Sequence, residues 1–199
     1  MQHYKEVISA LTNITRFRHV KSDDFFIERL GGLTNLVFRV QHEQQHYLLR
    51  LPGKGTEEYI NRADEHRAAQ IAADAGVSAQ LYYFDESNGI MLAEFIEGAT
   101  LNSERFKDIG SVRRAGRALH RMHSSGEKFA KPFNVFEQID EYLELVVKLN
   151  ASLPEGYTQV KNDAGQVRRA LQASPVPLVP CHCDPLAETD GRPCVRIEP

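Results

Sequence analysis

The sequence predicts an α+β protein of two lobes, in which a β-rich first part precedes a helical second part. Segments rich in Phe, Ile, Leu and Val, separated by turn residues, fill most of the first half of the chain, which is typical of antiparallel strands. After Gly98, apolar residues recur at helical spacing instead. Strands followed by a run of helices indicate α+β architecture. We therefore place the lobe boundary near Glu97–Gly98, between residues 1–97 and residues 98–199.

Three strands are predicted early in the chain, so that this first third is interpreted as strands. The first strand covers 24–30 and ends at a glycine turn, the second covers 36–40, and the third covers 47–51. Because side chains alternate between the faces of a strand, Arg50 lies on the opposite face from the apolar residues at 47, 49 and 51.

One helix and two more strands complete the first lobe. The helix is predicted to begin near Glu57, with Thr56 as its N-cap, and to stop at Gly76. The strands cover 80–84 and 90–96, on either side of the hairpin turn 85–89. In the second lobe, apolar stripes within 109–122, 136–149 and 160–171 predict three helices.

Composition excludes several classes of function. The chain has 199 residues, of which 42% are hydrophobic and 26% charged, as in an ordinary soluble globular protein. A net charge of −3 leaves no electrostatic footprint for nucleic acid. No apolar run approaches the roughly 18 to 20 residues that span a bilayer, and the N-terminus is too polar for a secretory signal. We expect a cytoplasmic protein with no membrane span and no nucleic-acid partner.

The cysteines predict reduced thiols rather than a disulfide framework or a metal centre. All three, Cys181, Cys183 and Cys194, lie close to the C-terminal end, and their number is odd. The Cys-His-Cys stretch at 181–183 lacks the spacing of paired Cys-x-x-Cys knuckles. A structural zinc site is therefore disfavoured, and no metal ligand is assigned.

Asp184 is the strongest candidate catalytic residue. It follows His182 by two positions, in a loop that also contains Cys and Pro. In phosphoryl transfer, an Asp in such a loop orients the substrate hydroxyl and accepts its proton, while metal ions neutralise phosphate charge. His182 suits a bracing role through hydrogen bonds. The alternative is that Asp184–Pro185 simply begins a turn.

Arg50 is the second candidate. A cation inside an apolar strand is costly unless it is paired, and Glu65 in the predicted helix could supply the partner. This pair resembles the Lys–Glu pair with which protein kinases hold nucleotide phosphates, and Arg offers a two-pronged grip where Lys offers a point charge. The alternative is an exposed position on the sheet.

Two further segments could contact a nucleotide. The glycine turn 31–35 lets backbone N–H groups approach a phosphate closely. Residues 94–98 fit a hinge between lobes whose backbone could receive an adenine. A plain hairpin turn and an ordinary linker are the respective alternatives.

The order of these features resembles the choline/ethanolamine kinase and aminoglycoside phosphotransferase group of kinase-like enzymes. The likeness extends from about Phe26 to Leu186 and is closest to bacterial choline-kinase-like phosphotransferases. It rests on GGLTNLVFRV, YLLRLPGKGTEEYINRADEHRAA, AGVSAQLYYFD, GIMLAEFIEGATL and LVPCHCDPL. The resemblance implies a protein-kinase-like two-lobe fold, with a five-stranded antiparallel N-lobe carrying one helix and an incomplete helical C-lobe.

The resemblance also implies cofactors, a substrate and residue roles. ATP and Mg²⁺ are the implied cofactors, and a small alcohol is the implied substrate, with choline the first candidate. Arg50 contacts the ATP phosphates, Glu65 braces Arg50, and Asp184 is the catalytic base, with His182 beside it. The phosphate-facing loop and the adenine hinge are implied at Gly32, Thr34, Asn35, Glu94, Phe95 and Ile96.

The chain departs from the family pattern after Leu186. Seven positions after its His, the family has an Asn that ligates magnesium, but Thr189 stands here, and 190–199 offers no later metal-holding Asp in a family setting. We therefore expect an early end or an altered reading frame after Leu186, weak ATP binding and negligible phosphorylation of choline. Two alternatives stay open: a kinase for an aminoglycoside or another hydroxylated metabolite, and a non-catalytic nucleotide-binding protein.

Overall fold

A computed structural model describes residues 3–31, 34–58, 60–98 and 101–183. A five-stranded antiparallel sheet with strand order β1-β2-β3-β5-β4 dominates the first half of the chain. Its strands are β1 (Phe25–Gly31), β2 (Leu36–His42), β3 (Gln45–Leu51), β4 (Leu81–Phe84) and β5 (Met91–Glu94). The predicted α+β class and five-stranded sheet are confirmed, and every predicted strand is present.

Helices lie before, within and after the sheet segments. The described α-helices are α1 (Tyr4–Asn13), α2 (Arg62–Asp74), α3 (Ile109–His123), α4 (Val135–Lys148) and α5 (Tyr157–Ala173). The three helices predicted for the second half are therefore confirmed. No helix in these described ranges is long and apolar enough to cross a membrane.

Helix α1 corrects the prediction that the first third of the chain consists of strands. Its buried residues Val7, Ala10 and Leu11 recur at i, i+3 and i+4, which is the spacing of one helical face. That pattern is present in the sequence, where the interpretation overlooked it. The helix packs on one face of the sheet and forms the main core with it.

Aromatic side chains next to α1 pack into the main core. Phe17, which is 1% exposed, follows α1 in a short 3-10 helix. Its ring meets Tyr47 of β3 edge to face, with centroids 5.3 Å apart. Phe38 and Leu49, both fully buried, belong to the same cluster. Tyr47 and Leu49 lie on the face of β3 that faces this core, so that Arg50 lies on the other.

The predicted start of α2 is wrong. Thr56–Glu58 forms a separate 3-10 turn, and α2 begins at Arg62. Asn61 is the N-cap, because its Oδ1 accepts hydrogen bonds from the N–H groups of Ala63 and Asp64 at 3.0 and 3.1 Å. Thr56 is 1% exposed, and its hydroxyl serves an internal network instead. The predicted stop is confirmed, since α2 ends just before Gly76, which has a φ of +67°.

The described residues form two compact units. One contains the residues up to Ala130 together with those from Val179 onward, and the other contains Lys131–Leu178. In the first unit, Ala118 and Met122 of α3 form a small cluster with Val77. Other apolar residues of the predicted α3 stripe are exposed instead, among them Ile109 at 62%.

The second unit contains α4 and α5. Asp140 of α4 contacts Lys161 at 3.1 Å and Arg168 at 3.0 Å on α5. Large apolar side chains of this unit are exposed to solvent, such as Val147 at 78% and Val160 at 66%. Polar contacts therefore contribute to the pairing of these two helices.

Candidate active site

Arg50 lies on an interior strand of the sheet. Strand β3 pairs with β2 on one side and β5 on the other, and Arg50 stands opposite Val37 and Met91. Its side chain is 18% exposed. A guanidinium in such a position must be paired, because burial of a lone cation costs several kcal/mol.

Glu65 supplies the partner from the first turns of α2. Its Oε1 lies 2.7 Å from Nη2 of Arg50, and its side chain is 21% exposed. The predicted strand-to-helix pair therefore forms. Since the pair joins the sheet to α2, it ties the position of the helix to the position of the strand cation.

Arg62 is a second cation on the same carboxylate. Its Nη1 donates to Glu65 Oε2 at 2.7 Å, and its side chain is 10% exposed. The sequence analysis missed Arg62, although its i, i+3 spacing to Glu65 was a usable signal. Both carboxylate oxygens of Glu65 are thus engaged by guanidinium groups.

The contact between Arg50 and Glu65 leaves hydrogen-bonding capacity on Arg50. The distance is that of a close ion pair, but the N–H groups are not aligned with the carboxylate. Both Nε and Nη2 of Arg50 are buried without a hydrogen-bond partner among the described residues. Buried donors without acceptors are costly, and an anionic oxygen from a bound phosphate is an acceptor that suits a guanidinium.

The predicted phosphate-facing loop is fastened to the segment that follows β3. Asn35 Oδ1 accepts a hydrogen bond from the N–H of Gly53 at 3.2 Å. The backbones also approach closely, since a Cβ on Gly53 would lie 1.8 Å from the carbonyl oxygen of Thr34. Only glycine fits there. Gly32 lies outside the described residues.

The predicted hinge follows directly on β5. Glu94 is the last residue of that strand, and its N–H donates to the carbonyl of Gln80 at 2.8 Å. The N–H of Phe95 donates to the carbonyl of His46 at 3.4 Å. Ile96 is half-buried beside them. These bonds fix the start of the hinge against β3 and the approach to β4.

A charged cluster that the sequence analysis missed lies next to the hinge. Glu97 Oε1 is 3.0 Å from Arg39 Nη2 and 2.9 Å from His46 Nδ1. The Arg39 guanidinium also lies over the Phe95 ring, 4.8 Å from its centroid. Because Arg39 and Glu97 are far apart in sequence, local patterns could not have paired them.

The structure describes only the beginning of the predicted catalytic loop. His182 is exposed, and the following Cys183 has a left-handed φ of 67°. Cys181 and Cys183 are exposed free thiols. Asp184 and Thr189 lie outside the described residues, so the placement of the predicted base stays a prediction.

No metal cluster marks this site in the part of the chain that the structure describes. No three His, Cys, Asp or Glu side chains there are grouped to hold a metal ion. A cavity of about 400 Å³ lies near the C-terminal ends of α2 and α3, where Asp74 and Arg121 contribute to its lining.

These features define the class of protein. The antiparallel sheet with an interior strand Arg, braced by a helix Glu, has a protein-kinase-like fold, as its solved structural relatives also show. The family model for choline/ethanolamine kinase matches residues 26–189. The chain belongs to the choline/ethanolamine kinase family.

Solved structures support this assignment. A choline/ethanolamine kinase family protein from Mesorhizobium loti is 44% identical, with a TM-score of 0.76 over 92% of this chain and 59% of that chain. The choline kinase LicA from Streptococcus pneumoniae is 27% identical, with a TM-score of 0.74 over 94% of this chain and 63% of that chain.

Curated relatives also match most of this chain. Protein LicA of Haemophilus influenzae is 24% identical across 88% of this chain and 51% of its own length. The human choline/ethanolamine kinase is 27% identical across 77% of this chain and 42% of its own length. The chain therefore spans about half the length of these relatives.

Proposed function

We propose that this chain provides the nucleotide-binding and catalytic-loop residues of an ATP-dependent phosphotransferase of the choline-kinase type, which acts on the hydroxyl of a small alcohol. The negligible phosphorylation expected of the 199-residue chain itself stays a prediction, which the turnover experiment below tests. The carrying observation is Arg50, held on an interior strand by Glu65 at 2.7 Å within a chain of this family. Its unsatisfied guanidinium donors fit the phosphate oxygens of a nucleotide. A related LicA structure contains AMP, with 28% identity and a TM-score of 0.68 over 92% of this chain and 64% of that one.

Each part of the proposed site has one task. Arg50 binds the ATP phosphates, and Gly32, Thr34 and Asn35 belong to the loop that faces them. The adenine lies at the hinge of Glu94, Phe95 and Ile96. Since Glu94 and Phe95 donate their N–H groups within the protein, we expect Ile96 to offer the backbone donor.

Asp184 orients the alcohol hydroxyl and accepts its proton as the hydroxyl oxygen bonds to the γ-phosphorus of ATP and the bond from that phosphorus to ADP breaks, so that ADP leaves. His182 braces the loop. Mg²⁺ would supply charge neutralisation on the phosphates. Choline is the first candidate substrate, and a cytoplasmic location remains our prediction.

Nucleotide binding is tested first, by calorimetric titration of the chain with Mg²⁺–ATP. Arg50→Ala should weaken binding by about ten-fold or more, because a charge-assisted contact is lost. Lys5→Ala is the matched control, since Lys5 is an exposed cation on α1. Equal affinities for the two variants would remove Arg50 from the site.

Turnover is tested with radiolabelled ATP and three acceptors: choline, ethanolamine and an aminoglycoside. Asp184→Ala provides the blank. Transfer to choline above this blank supports the proposed substrate, and transfer only to the aminoglycoside supports the other acceptor class. ATP binding without transfer to any acceptor would support the non-catalytic alternative.

A further inference from the structure

A continuous polar chain runs from Arg50 to the predicted phosphate-facing loop, and Arg62 is its central link. One end of the Arg62 guanidinium donates to Glu65, which also pairs with Arg50. The other end donates to the hydroxyl of Thr56. Arg62 therefore contacts two different segments at once.

Thr56 extends the chain toward the loop. Its hydroxyl donates to the carbonyl of Gly53 at 2.7 Å, and the N–H of Gly53 donates to Asn35 Oδ1 at 3.2 Å. Thr56 is 1% exposed, so water does not compete for these bonds. Each link is a hydrogen bond or an ion pair.

The position of Arg62 is unfavourable unless these contacts hold it. It is the first residue of α2, where the helix dipole disfavours a positive charge. Its side chain is also only 10% exposed, so that hydration cannot compensate. A Lys would keep the charge but lacks the two separate nitrogens with which the guanidinium contacts Glu65 and Thr56.

The β4–β5 turn packs against the Arg62 guanidinium. Gly89 in that turn has a φ of +77°, and a Cβ there would lie 2.6 Å from Nε and 2.8 Å from Cζ of Arg62. The absence of a side chain at Gly89 thus leaves the room that Arg62 occupies. The guanidinium is confined on this side as well as by its two bonded partners.

We propose that Arg62 is a positioning residue that couples the phosphate-facing loop to the orientation of Arg50. Through Glu65 it sets where Arg50 points, and through Thr56 and Gly53 it holds Asn35. The inference rests on the proposed function, because it assigns Arg62 a role in binding the nucleotide phosphates. Arg62 itself does not contact the nucleotide.

The test compares ATP with adenosine, which lacks phosphates. Arg62→Lys should weaken ATP binding by about ten-fold. It should leave the affinity for adenosine unchanged within about two-fold, because adenosine has no phosphate for Arg50 or the loop to bind. If Arg62 were needed only for the fold, the substitution would lower the affinities for ATP and adenosine by similar factors. Equal losses for ATP and adenosine, or no loss for ATP, would overturn the proposal.

Gly89→Ala reaches Arg62 without changing it, and Gly126→Ala is its matched control. Both glycines have a φ of +77°, but a Cβ on Gly126 meets nothing within 4 Å. Both variants carry similar backbone strain, so only Gly89→Ala should lower the ratio of ATP to adenosine affinity. If Arg62→Lys fails to fold, this pair decides the question. Equal ratios for the two alanine variants would then overturn the proposal.

Coupling to the loop is tested with Asn35→Ala, alone and combined with Arg62→Lys. If both residues act through one chain of contacts, the double variant should lose less ATP affinity than the product of the single losses. Multiplicative losses would overturn the coupling. The proposed function fails separately if the unmodified chain binds neither ATP nor adenosine. The role of Arg62 alone is contradicted if Arg50→Ala lowers the ATP affinity and the Arg62 and Gly89 variants leave it unchanged.

Discussion

Glu65 is the residue on which the candidate site depends most. A single carboxylate forms ion pairs with two guanidinium groups, each 2.7 Å away, and all three side chains are mostly buried. The arrangement depends on the carboxylate, because removing it leaves two mostly buried guanidinium groups without a counter-charge. Glu65 therefore serves both the stability of the fold and the placement of Arg50.

Replacing Glu65 with Ala should lower the free energy of unfolding by about 1 to 3 kcal/mol, because two mostly buried cations lose their shared ion-pair partner. Urea unfolding measures this cost. Glu104→Ala is the control, since Glu104 is 76% exposed and its Lys107 pair lies on the surface. We expect that control to change stability by less than about 0.5 kcal/mol. Comparable costs for the two variants would contradict the prediction.

Helix α1 stabilises the sheet through its buried face. Leu11 is fully buried in the cluster that contains Phe38 and Leu49. The face of the sheet that α1 covers is the one opposite Arg50, so this helix supports the strand that carries the site. Its packing is therefore relevant to function although it contributes no candidate site residue.

Leu11→Ala should cost about 2 to 5 kcal/mol of stability, because a large buried side chain is removed from a packed core. Leu171→Ala provides a control in α5, where Leu171 is 59% exposed. That substitution should change stability by less than about 0.5 kcal/mol. Chemical denaturation of both variants gives the comparison, and a small effect of Leu11→Ala would show that α1 is dispensable.

The β4–β5 turn depends on an ionised Asp85. Hydrogen bonds from Ser87, at 2.6 Å from its hydroxyl and 2.9 Å from its N–H, hold the pKa of Asp85 below its ordinary value. Asn88 donates to the other carboxylate oxygen at 2.6 Å. The same turn ends at Gly89, which lies against Arg62. The ionised Asp85 thus stabilises the turn that packs against Arg62.

Because the folded pKa of Asp85 is depressed, its contribution to stability is present above the ordinary Asp pKa and is lost as pH falls through the folded value. Amide exchange in residues 85–90, followed from pH 6 down to about pH 2.5, should show the turn opening more at the acid end. In Asp85→Asn the opening should be greater at pH 6 and less dependent on pH. An unchanged pH dependence in that variant would assign the effect to another group.

The molecule as a whole should be stabilised by ATP if the proposed function is right. A ligand at about one hundred times its Kd adds about 2.7 kcal/mol to the folded state, which corresponds to a rise in Tm of about 5 to 10 °C for a chain of this size. Thermal melting with and without Mg²⁺–ATP measures this. At the same ATP concentration Arg50→Ala should show a smaller rise, and Lys5→Ala should match the unmodified chain. An equal rise in Arg50→Ala would place the nucleotide elsewhere.

Local patterns in the sequence were enough to predict the five strands and to name Glu65 as a possible partner of Arg50, and the family resemblance implied the pair. Alternation of apolar residues determines a strand within a few positions, and a cation in such a strand creates a need for a partner that the next helix can meet. The family was likewise predictable, because its motifs are read along the chain, and the match over residues 26–189 confirms it.

Contacts between distant segments were not predictable from these patterns. The start of α2 depended on competition between Thr56 and Asn61, and Asn61 became the cap because Thr56 is buried against Gly53 and Arg62. The Arg39–Glu97 pair and the packing of Gly89 against Arg62 likewise join residues from separate segments. The sequence alone thus determined which residues are charged, which are apolar and which favour turns. Three-dimensional packing determined which of them meet, since burial and proximity depend on the whole chain at once.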